Sequence, residues 1–163
     1  VLVMNKSIVS WTKGFVPKIT GAVVSPADVR AYQWLRDNSP LDSKVLNYPG
    51  RYEGQWVPVI SERKAVYIRD QLFYIGAEDL RNMQQAMEIA FLDPSSDKAY
   101  DLISKYEIDY VVVPQWLNVS GIDETNLRWR EPDQLPQLSL FKDAGYLNMV
   151  ANFDGAQIWR VKH

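Results

Sequence analysis

The sequence has no cysteine among its 163 residues and one histidine, His163, at the last position. Without cysteine the chain has no disulfide, no thiolate metal ligand and no thiol nucleophile. A histidine in that position is poorly placed for a Ser-His-Asp triad or for a histidine-based metal site. We therefore expect no metal and no cofactor. Any chemistry would have to rest on carboxylates, lysine, arginine, tyrosine and serine.

Long apolar runs and basic blocks are also missing. The longest uncharged apolar run, "YVVVPQWLNV" at residues 110–119, is far short of the roughly 18 residues that cross a bilayer. The net charge is -2, and no cluster of basic residues predicts a nucleic-acid partner. Apolar residues make up 47% and charged residues 23% of the chain, which is typical of a globular domain.

The length of the chain fits one domain with a single sizeable core. Its first residue is not Met, and the opening stretch lacks the layout of a signal peptide, so we expect a piece of a larger protein. Residues 1–24 contain the breakers Gly14, Pro17 and Gly21 and are interpreted as a leader or linker. Residues 25–163 are interpreted as a single α/β domain.

The first helix has clear start and stop signals. Ser25 is a good N-cap, Pro26 suits the first helical position, and Asp28 can complete a capping box. Asn38 and Pro40 predict its end. The apolar residues between these signals recur at helical spacing and predict one buried face.

Two further helices precede a strongly apolar strand. Residues 76–94 carry Leu80, Met83, Met87 and Phe91 at helical spacing, and Pro94 closes that pattern. A helix capped by Ser95 or Ser96 then leads into "DYVVVP", whose adjacent valines indicate a strand buried on both faces.

The order of these elements predicts the fold class. Short strands at residues 44–48 and 64–68 precede the two helices, and the strand at 109–114 follows them. Helices between buried strands imply right-handed crossovers. We predict an α/β fold of three layers, with a mainly parallel sheet flanked by helices and a C-terminal antiparallel hairpin.

The hairpin is predicted from Asp154-Gly155, a strong two-residue turn signal between two strand-like runs. A tight turn fixes the register, and the predicted pairs are Phe153 with Ala156, Ala151 with Ile158, and Met149 with Arg160. The buried face would then carry Met149, Ala151, Phe153, Ala156 and Ile158.

The candidate binding site is the stretch "NYPGRYEGQW", residues 47–56, which follows the first strand. Ligands in open α/β sheets bind beyond the carboxyl ends of the strands. Aromatic rings there could stack on a sugar, and arginine forks suit phosphate or carboxylate groups. The candidate ligand-binding residues are Tyr48, Arg51, Tyr52, Glu53, Trp56 and Arg69. The alternative is that Trp56 anchors the core while the charged residues form a solvated surface.

Other chemistry-bearing residues give weaker signals. Glu78 and Asp79 begin a helix, where acidic residues are favoured by the helix dipole. Trp116 lies after the third strand and either fixes the following loop to the domain or contacts the membrane interface or a transmembrane part of the parent protein. Trp129, further along the same stretch, carries the same two interpretations.

Four segments in a fixed order carry a family resemblance. They resemble segments that follow the last membrane span in multi-pass C-type glycosyltransferases, which use polyprenol-linked sugars, and in related membrane proteins of unassigned function. The resemblance covers roughly residues 22–162. The four segments are "AYQWLRDNSPLDSKVL", "GQWVPVISERKAVY", "YDLISKYEIDYVVVP" and "YLNMVANFDGAQIWRV".

The resemblance implies a non-catalytic domain on the extracytoplasmic face of the membrane, since the catalytic carboxylates of such enzymes typically lie in loops of the membrane bundle. The implied partners are the transmembrane part of the parent chain and a glycan or lipid-linked sugar, and the parent would be a membrane glycosyltransferase. Oligosaccharyltransferase catalytic subunits carry a "WWDYG" motif near this point, which the stretch at 47–56 lacks, so that acceptor-reading role is not carried over.

Two alternatives stay open. One is a self-contained carbohydrate-binding module that uses Tyr48, Tyr52 and Trp56. The other is an independent enzyme built on carboxylates and tyrosine, which the lack of cysteine and of a well-placed histidine disfavours.

Overall fold

The structure is a computed structural model that describes residues 24–48, 56–66, 77–118 and 139–163. Within these residues the helices are α1 (Pro26–Asn38), α2 (Ala77–Leu92), α3 (Asp97–Lys105), α4 (Gln115–Asn118) and α5 (Leu140–Asp143), with a π-helical turn at Val57–Ser61. The strands are β1 (Lys44–Asn47), β2 (Lys64–Ala65), β3 (Tyr110–Val113), β4 (Leu147–Phe153) and β5 (Ala156–Val161). Of the predicted leader, residues 1–24, only Val24 lies in the described part, and the division into leader and domain stays a prediction.

The five strands form one mixed sheet in the order β2-β1-β3-β5-β4. Strand β1 pairs in parallel with both β2 and β3. Strand β5 pairs antiparallel with both β3 and β4. Four strands therefore run in one direction and only β5 runs against them, which confirms the predicted mainly parallel sheet with a closing antiparallel hairpin.

Helices cover both faces of the sheet. One apolar cluster contains the buried face of α1 together with Val45, Val112 and Ile158, and we call this side the α1 face. The other contains residues of α2, α3 and α5 and the strand residues Leu46 and Val111, and we call it the α2 face. Neighbouring strand residues point to opposite faces, so the sheet is buried on both sides and the predicted three-layer architecture is confirmed.

The predicted start of α1 is confirmed in detail. The Ser25 hydroxyl accepts a hydrogen bond from the Asp28 amide at 3.0 Å, and the Asp28 carboxylate accepts from the Ser25 amide at 3.3 Å. Pro26 occupies the first helical position, and the helix ends at Asn38. These reciprocal bonds satisfy amide groups that the first helical turn leaves without partners.

The helical patterns of α2 and α3 are confirmed as well. Met87 and Phe91 of α2 are fully buried on the α2 face, and the helix ends two residues before Pro94. Ser96 is the N-cap of α3, and its hydroxyl accepts from the Ala99 amide at 3.2 Å. Every residue of β3 is buried, as its run of valines predicted.

The β4–β5 turn forms where Asp154-Gly155 predicted it. Asp154 has a φ of 50° and Gly155 a φ of 103°, so both central residues take the positive φ of a turn that suits the twist of a hairpin. Phe153 pairs with Ala156, as predicted.

Ala151 pairs with Ile158, as predicted, but the predicted register is wrong at Met149. Met149 pairs with Trp159 and not with Arg160, because the ladder shifts by one residue between Met149 and Ala151. This irregularity, typical of a β-bulge, inserts Val150 and turns neighbouring side chains to the other face. Met149 is consequently 42% exposed, whereas Val150 packs against the α1-face cluster.

Across the described segments, none of the helices combines the length and the apolar character that crossing a bilayer would require.

Candidate functional site

The candidate site lies at the end of the sheet where β1 and β3 terminate, which we call the carboxyl edge. Tyr48 follows β1 there, and α4 follows β3. The Gln115 amide donates to Asp28 Oδ1 at 2.8 Å, which brings the first turn of α1 to the same edge. The Gln115 side chain donates to the Asp154 carbonyl at 2.9 Å, which adds the β4–β5 turn.

Tyr48 belongs to the core at this edge. Its side chain is only 6% exposed. Its ring meets that of Phe91 edge-on with centroids 5.2 Å apart, and that of Trp116 with centroids 5.5 Å apart. Edge-to-face contacts of this kind stabilise aromatic clusters beyond the area that they bury. The ring of Tyr48 therefore packs on the α2 face.

Trp56 packs on the opposite side of the sheet. It immediately precedes the π-helical turn and is partly buried against the α1-face cluster. Tyr48 and Trp56 thus lie on different faces of the sheet, and the structure does not bring their two rings together on one flat surface. The other predicted ligand-binding residues, Arg51, Tyr52, Glu53 and Arg69, lie outside the described residues, and their role stays a prediction.

Asn47, the last residue of β1, is a polar group that the sequence reasoning missed. It is 1% exposed, and its Nδ2 donates to the Tyr48 carbonyl at 2.9 Å. Its Oδ1 is the buried side-chain atom that lacks a hydrogen-bond partner within the described part of the chain. Buried polar atoms almost always have a hydrogen-bond partner. The unpartnered oxygen of Asn47 is therefore an unusual feature, and it lies at the end of β1. An asparagine directly after the buried apolar residues Val45 and Leu46 was the available signal.

Two amides of α4 hold the β4–β5 turn. In addition to the bond from Gln115, Asn118 Nδ2 donates to the Gly155 carbonyl. Arg30 of α1 pairs with the Asp154 carboxylate. These contacts connect α4, α1 and the turn, and they hold Trp116 against Tyr48. Of the two interpretations of Trp116, the contact with the domain is present in the structure.

The opposite end of the sheet, which we call the amino edge, is organised around Arg63. Arg63 is 6% exposed, and its Nη2 donates to the Ser39 carbonyl at 2.6 Å and to the Arg36 carbonyl. Its Nε donates to the Ser39 hydroxyl at 2.9 Å and its Nη1 to the Ser61 carbonyl at 3.1 Å. Carbonyls at the C-terminal end of α1 thereby gain a cationic donor, which also complements the helix dipole.

This clamp joins two of the four segments on which the sequence resemblance was based. Ser39 belongs to the "RDNSP" portion of one resembling segment, and Ser61 and Arg63 belong to "VISER" in the next. The two segments meet in space although they are more than 20 positions apart in sequence. The hydrogen bonds of Arg63 there hold the end of α1 and the π-helical turn together.

Two groups near the amino edge have shifted pKa values. Burial, with a smaller contribution from the charge of Asp93, raises the pKa of Tyr146 to about 12. The Tyr146 hydroxyl donates to the Pro94 carbonyl at 2.6 Å. The hydrogen bond and the charge of Lys44 lower the pKa of Glu107 from its usual value. Both groups serve contacts within the fold.

The other chemistry-bearing residues singled out in the sequence do not form a common site within the described part of the chain. Within the described residues, no group of three or more His, Asp or Glu side chains is arranged to hold a metal ion. Glu78 is exposed at the start of α2. His163 lies at the amino edge, with Nε2 3.5 Å from Asp109 Oδ1. Trp129 lies outside the described residues.

Comparison with known proteins identifies the fold. No protein-family model matches the chain, and no curated protein matches it in sequence. The structure is similar to the crystal structure of the C-terminal globular domain of an oligosaccharyltransferase from Archaeoglobus fulgidus, with a TM-score of 0.58 and 16% identity. The match covers 86% of this chain and 99% of that domain. At this identity the likeness establishes the shared fold.

Proposed function

We propose that this chain is a non-catalytic, extracytoplasmic domain of a multi-pass membrane protein of the glycosyltransferase kind, and that it helps to bind or position the acceptor. The observation that carries the proposal is the fold shared with nearly the whole of an oligosaccharyltransferase C-terminal domain. The order of the four resembling sequence segments supports it independently. The domain would lie on the extracytoplasmic face of the membrane, next to the transmembrane part of its own parent chain.

The distribution of reactive groups supports a non-catalytic role. The single histidine of the sequence pairs with Asp109 at the amino edge, away from the candidate site. The buried carboxylate of Asp28 accepts hydrogen bonds from the Ser25 and Gln115 amides, which is the work of a helix cap. Sugar transfer would therefore be carried out by the membrane-embedded part of the parent.

The acceptor surface would be the loop between Tyr48 and Trp56. Arg51, together with Arg69 after β2, would bind a phosphate or carboxylate of a glycan or lipid-linked sugar. Tyr52 and Trp56 would offer ring faces to a sugar, and Glu53 would accept hydrogen bonds from hydroxyls. The two residues that flank this segment pack against the domain, Tyr48 on the α2 face and Trp56 on the α1 face.

Cell fractionation of the full-length parent tests this proposal. The parent should sediment with membranes, and protease added from outside intact cells should remove the domain. A parent that is found only in the cytosolic fraction would contradict the proposal.

Variants of the full-length parent test the acceptor surface. Arg51→Ala and Arg69→Ala should raise the KM for acceptor by about tenfold while kcat changes little, since removing a ground-state contact weakens binding. Arg160→Ala, which removes an exposed arginine of β5, is the matched control and should behave as the wild type. Unchanged KM in both loop variants would reject this surface.

A self-contained carbohydrate-binding module remains the alternative, because Trp56 is only partly buried and part of it is open to a ligand. Titration of sugars into the chain, followed by tryptophan fluorescence, distinguishes the two. A response that Trp56→Ala abolishes would favour the module, and no response would reject it.

A further inference from the structure

Strands β1 and β3 are parallel neighbours, and the chain leaves their carboxyl ends toward opposite sides of the sheet. After β1 it leads to the π-helical turn and to β2, which pairs with the side of β1 away from β3. After β3 it enters α4, whose Gln115 and Asn118 side chains donate to the β4–β5 turn on the side of β3 away from β1. Such a divergence opens a crevice between two strand ends, and ligands of α/β sheets bind there.

Asn47 lies at this divergence. It ends β1, and its Cα partner in β3 is Val112. Its side chain is directed to the α1 face, because it follows Val45 by two positions in the strand. Trp56, which is partly buried, packs on the same face. A polar side chain at the crevice and an aromatic ring therefore share one face of the sheet.

The orientation of the Asn47 amide leaves its oxygen as the group that lacks a partner. Nδ2 donates to the Tyr48 carbonyl at 2.9 Å, and because a carbonyl only accepts, this bond fixes which way the amide points. Oδ1 is buried and has no partner within the described part of the chain. An amide oxygen is a neutral acceptor, so its natural partner at a buried position is a neutral donor such as a hydroxyl, since an ammonium group there would need a counter-charge.

We propose that Asn47 Oδ1 accepts a hydrogen bond from a hydroxyl of a sugar bound at the crevice between β1 and β3. The inference rests on the proposed function and adds to it a contact that selects the sugar. Oδ1 is closed to solvent, so entry of the hydroxyl requires a change of side-chain rotamer at this edge, which is common on binding. A buried acceptor that lacks its donor is costly, and the site therefore favours a sugar that carries the hydroxyl over an analogue that does not.

The side-chain amide of Asn47 gives a direct reading of this contact. Glucose, galactose, mannose and N-acetylglucosamine are titrated separately into the 163-residue chain, and isotope-labelled side-chain amides are followed by NMR. At least one sugar should shift the Asn47 signal saturably, because the oxygen and the nitrogen belong to one conjugated group. The absence of a saturable shift at Asn47 with all four sugars would overturn the inference.

Deoxy analogues of the sugar with the largest shift identify the hydroxyl. One monodeoxy analogue should bind the wild type about tenfold more weakly than the sugar itself, the loss expected for one hydrogen bond. This difference should disappear in Asn47→Val, which has no acceptor. Asn148→Val, which changes an exposed asparagine of β4, is the matched control and should retain it.

Equal binding of every analogue to the wild type would overturn the inference, and so would a difference that persists in Asn47→Val. The wild-type titrations do not depend on the folding of a variant and test the contact by themselves. Cell fractionation of the full-length parent separates the two possible failures. A cytosolic parent whose chain responds at Asn47 contradicts the proposed function and leaves the contact standing, whereas a membrane-bound parent whose chain does not respond rejects the contact alone.

Discussion

The two edges of the sheet differ in how completely their polar groups are satisfied. At the amino edge, Arg63 donates to a hydroxyl and to three carbonyls from two segments. At the carboxyl edge, Asn47 keeps a buried oxygen without a partner among the described residues. Regions that bind ligands commonly carry such local compromises, whereas regions that hold a fold do not. The comparison shows that the polar groups around Arg63 are paired within the fold at one edge, whereas at the other edge the described residues leave Asn47 Oδ1 without a partner.

The largest expected effect is at Arg63. Arg63→Met removes the guanidinium and leaves several buried acceptors without a donor, so the free energy of unfolding should fall by about 3–4 kcal/mol. Denaturation with urea measures the loss. Lys64→Met, at an exposed neighbouring position, is the control and should change stability by less than about 0.5 kcal/mol. If the free energy of unfolding fell by less than about 1 kcal/mol in the Arg63 variant, the hydrogen bonds of Arg63 would not be a main source of stability at the amino edge.

A smaller effect is expected at Asp28, which serves both α1 and the segment after β3. Asp28→Ala removes the capping box and the bond to the Gln115 amide, and should lower the free energy of unfolding by about 2 kcal/mol. Asp37→Ala, at an exposed position of the same helix, is the control. Amide hydrogen exchange should rise at Gln115 in the Asp28 variant alone, and unchanged exchange there would contradict the link between the two segments.

The pH dependence of stability tests the contribution of Tyr146 at the amino edge. Its folded-state pKa of about 12 lies above the ordinary value of 10.0. Folding therefore favours the protonated hydroxyl, and this stabilisation is complete below pH 10 and is lost as the pH rises from 10 to 12. Since the side chain is partly exposed, we expect a loss of about 1–2 kcal/mol.

Tyr146→Phe supplies the comparison for that titration. It should cost about 1 kcal/mol near pH 7 through the lost bond to the Pro94 carbonyl, and should remove the additional decline above pH 10. If the free energies of unfolding of the two proteins changed in parallel between pH 9 and 12, the decline would not come from ionisation of Tyr146.

The smallest effect is expected at Asn47. Asn47→Val removes the unpartnered oxygen together with its desolvation penalty, and loses the Nδ2 bond to the Tyr48 carbonyl. These terms oppose each other, so stability should stay within about 1 kcal/mol of the wild type. Thermal unfolding measures the difference. A loss above about 2 kcal/mol would show that Asn47 stabilises the fold as firmly as Asp28 does.

Local signals in the sequence were sufficient for most elements of the fold. The cap at Ser25, the helical spacing of Met87 and Phe91, and the Asp154-Gly155 turn each act over a few residues, and each was predicted correctly. The register of β4 failed at Val150, because a β-bulge depends on packing between strands and not on the turn that starts the hairpin.

The site was less predictable because it depends on contacts between distant segments. That Tyr48 lies at the carboxyl edge follows from strand order, but the placement of Tyr48 and Trp56 on opposite faces does not follow from residue type. The Arg63 clamp joins residues far apart in sequence, and a single arginine carries no local sign of such a role.

One measurement tests the account most directly. Sugar transfer from a polyprenol-linked donor is assayed with the full-length parent in membranes and, in parallel, with the 163-residue chain alone. The account predicts transfer by the parent and none by the isolated chain. Turnover by the isolated chain that disappears on changing one of its own carboxylates, such as Glu53→Gln, would contradict it.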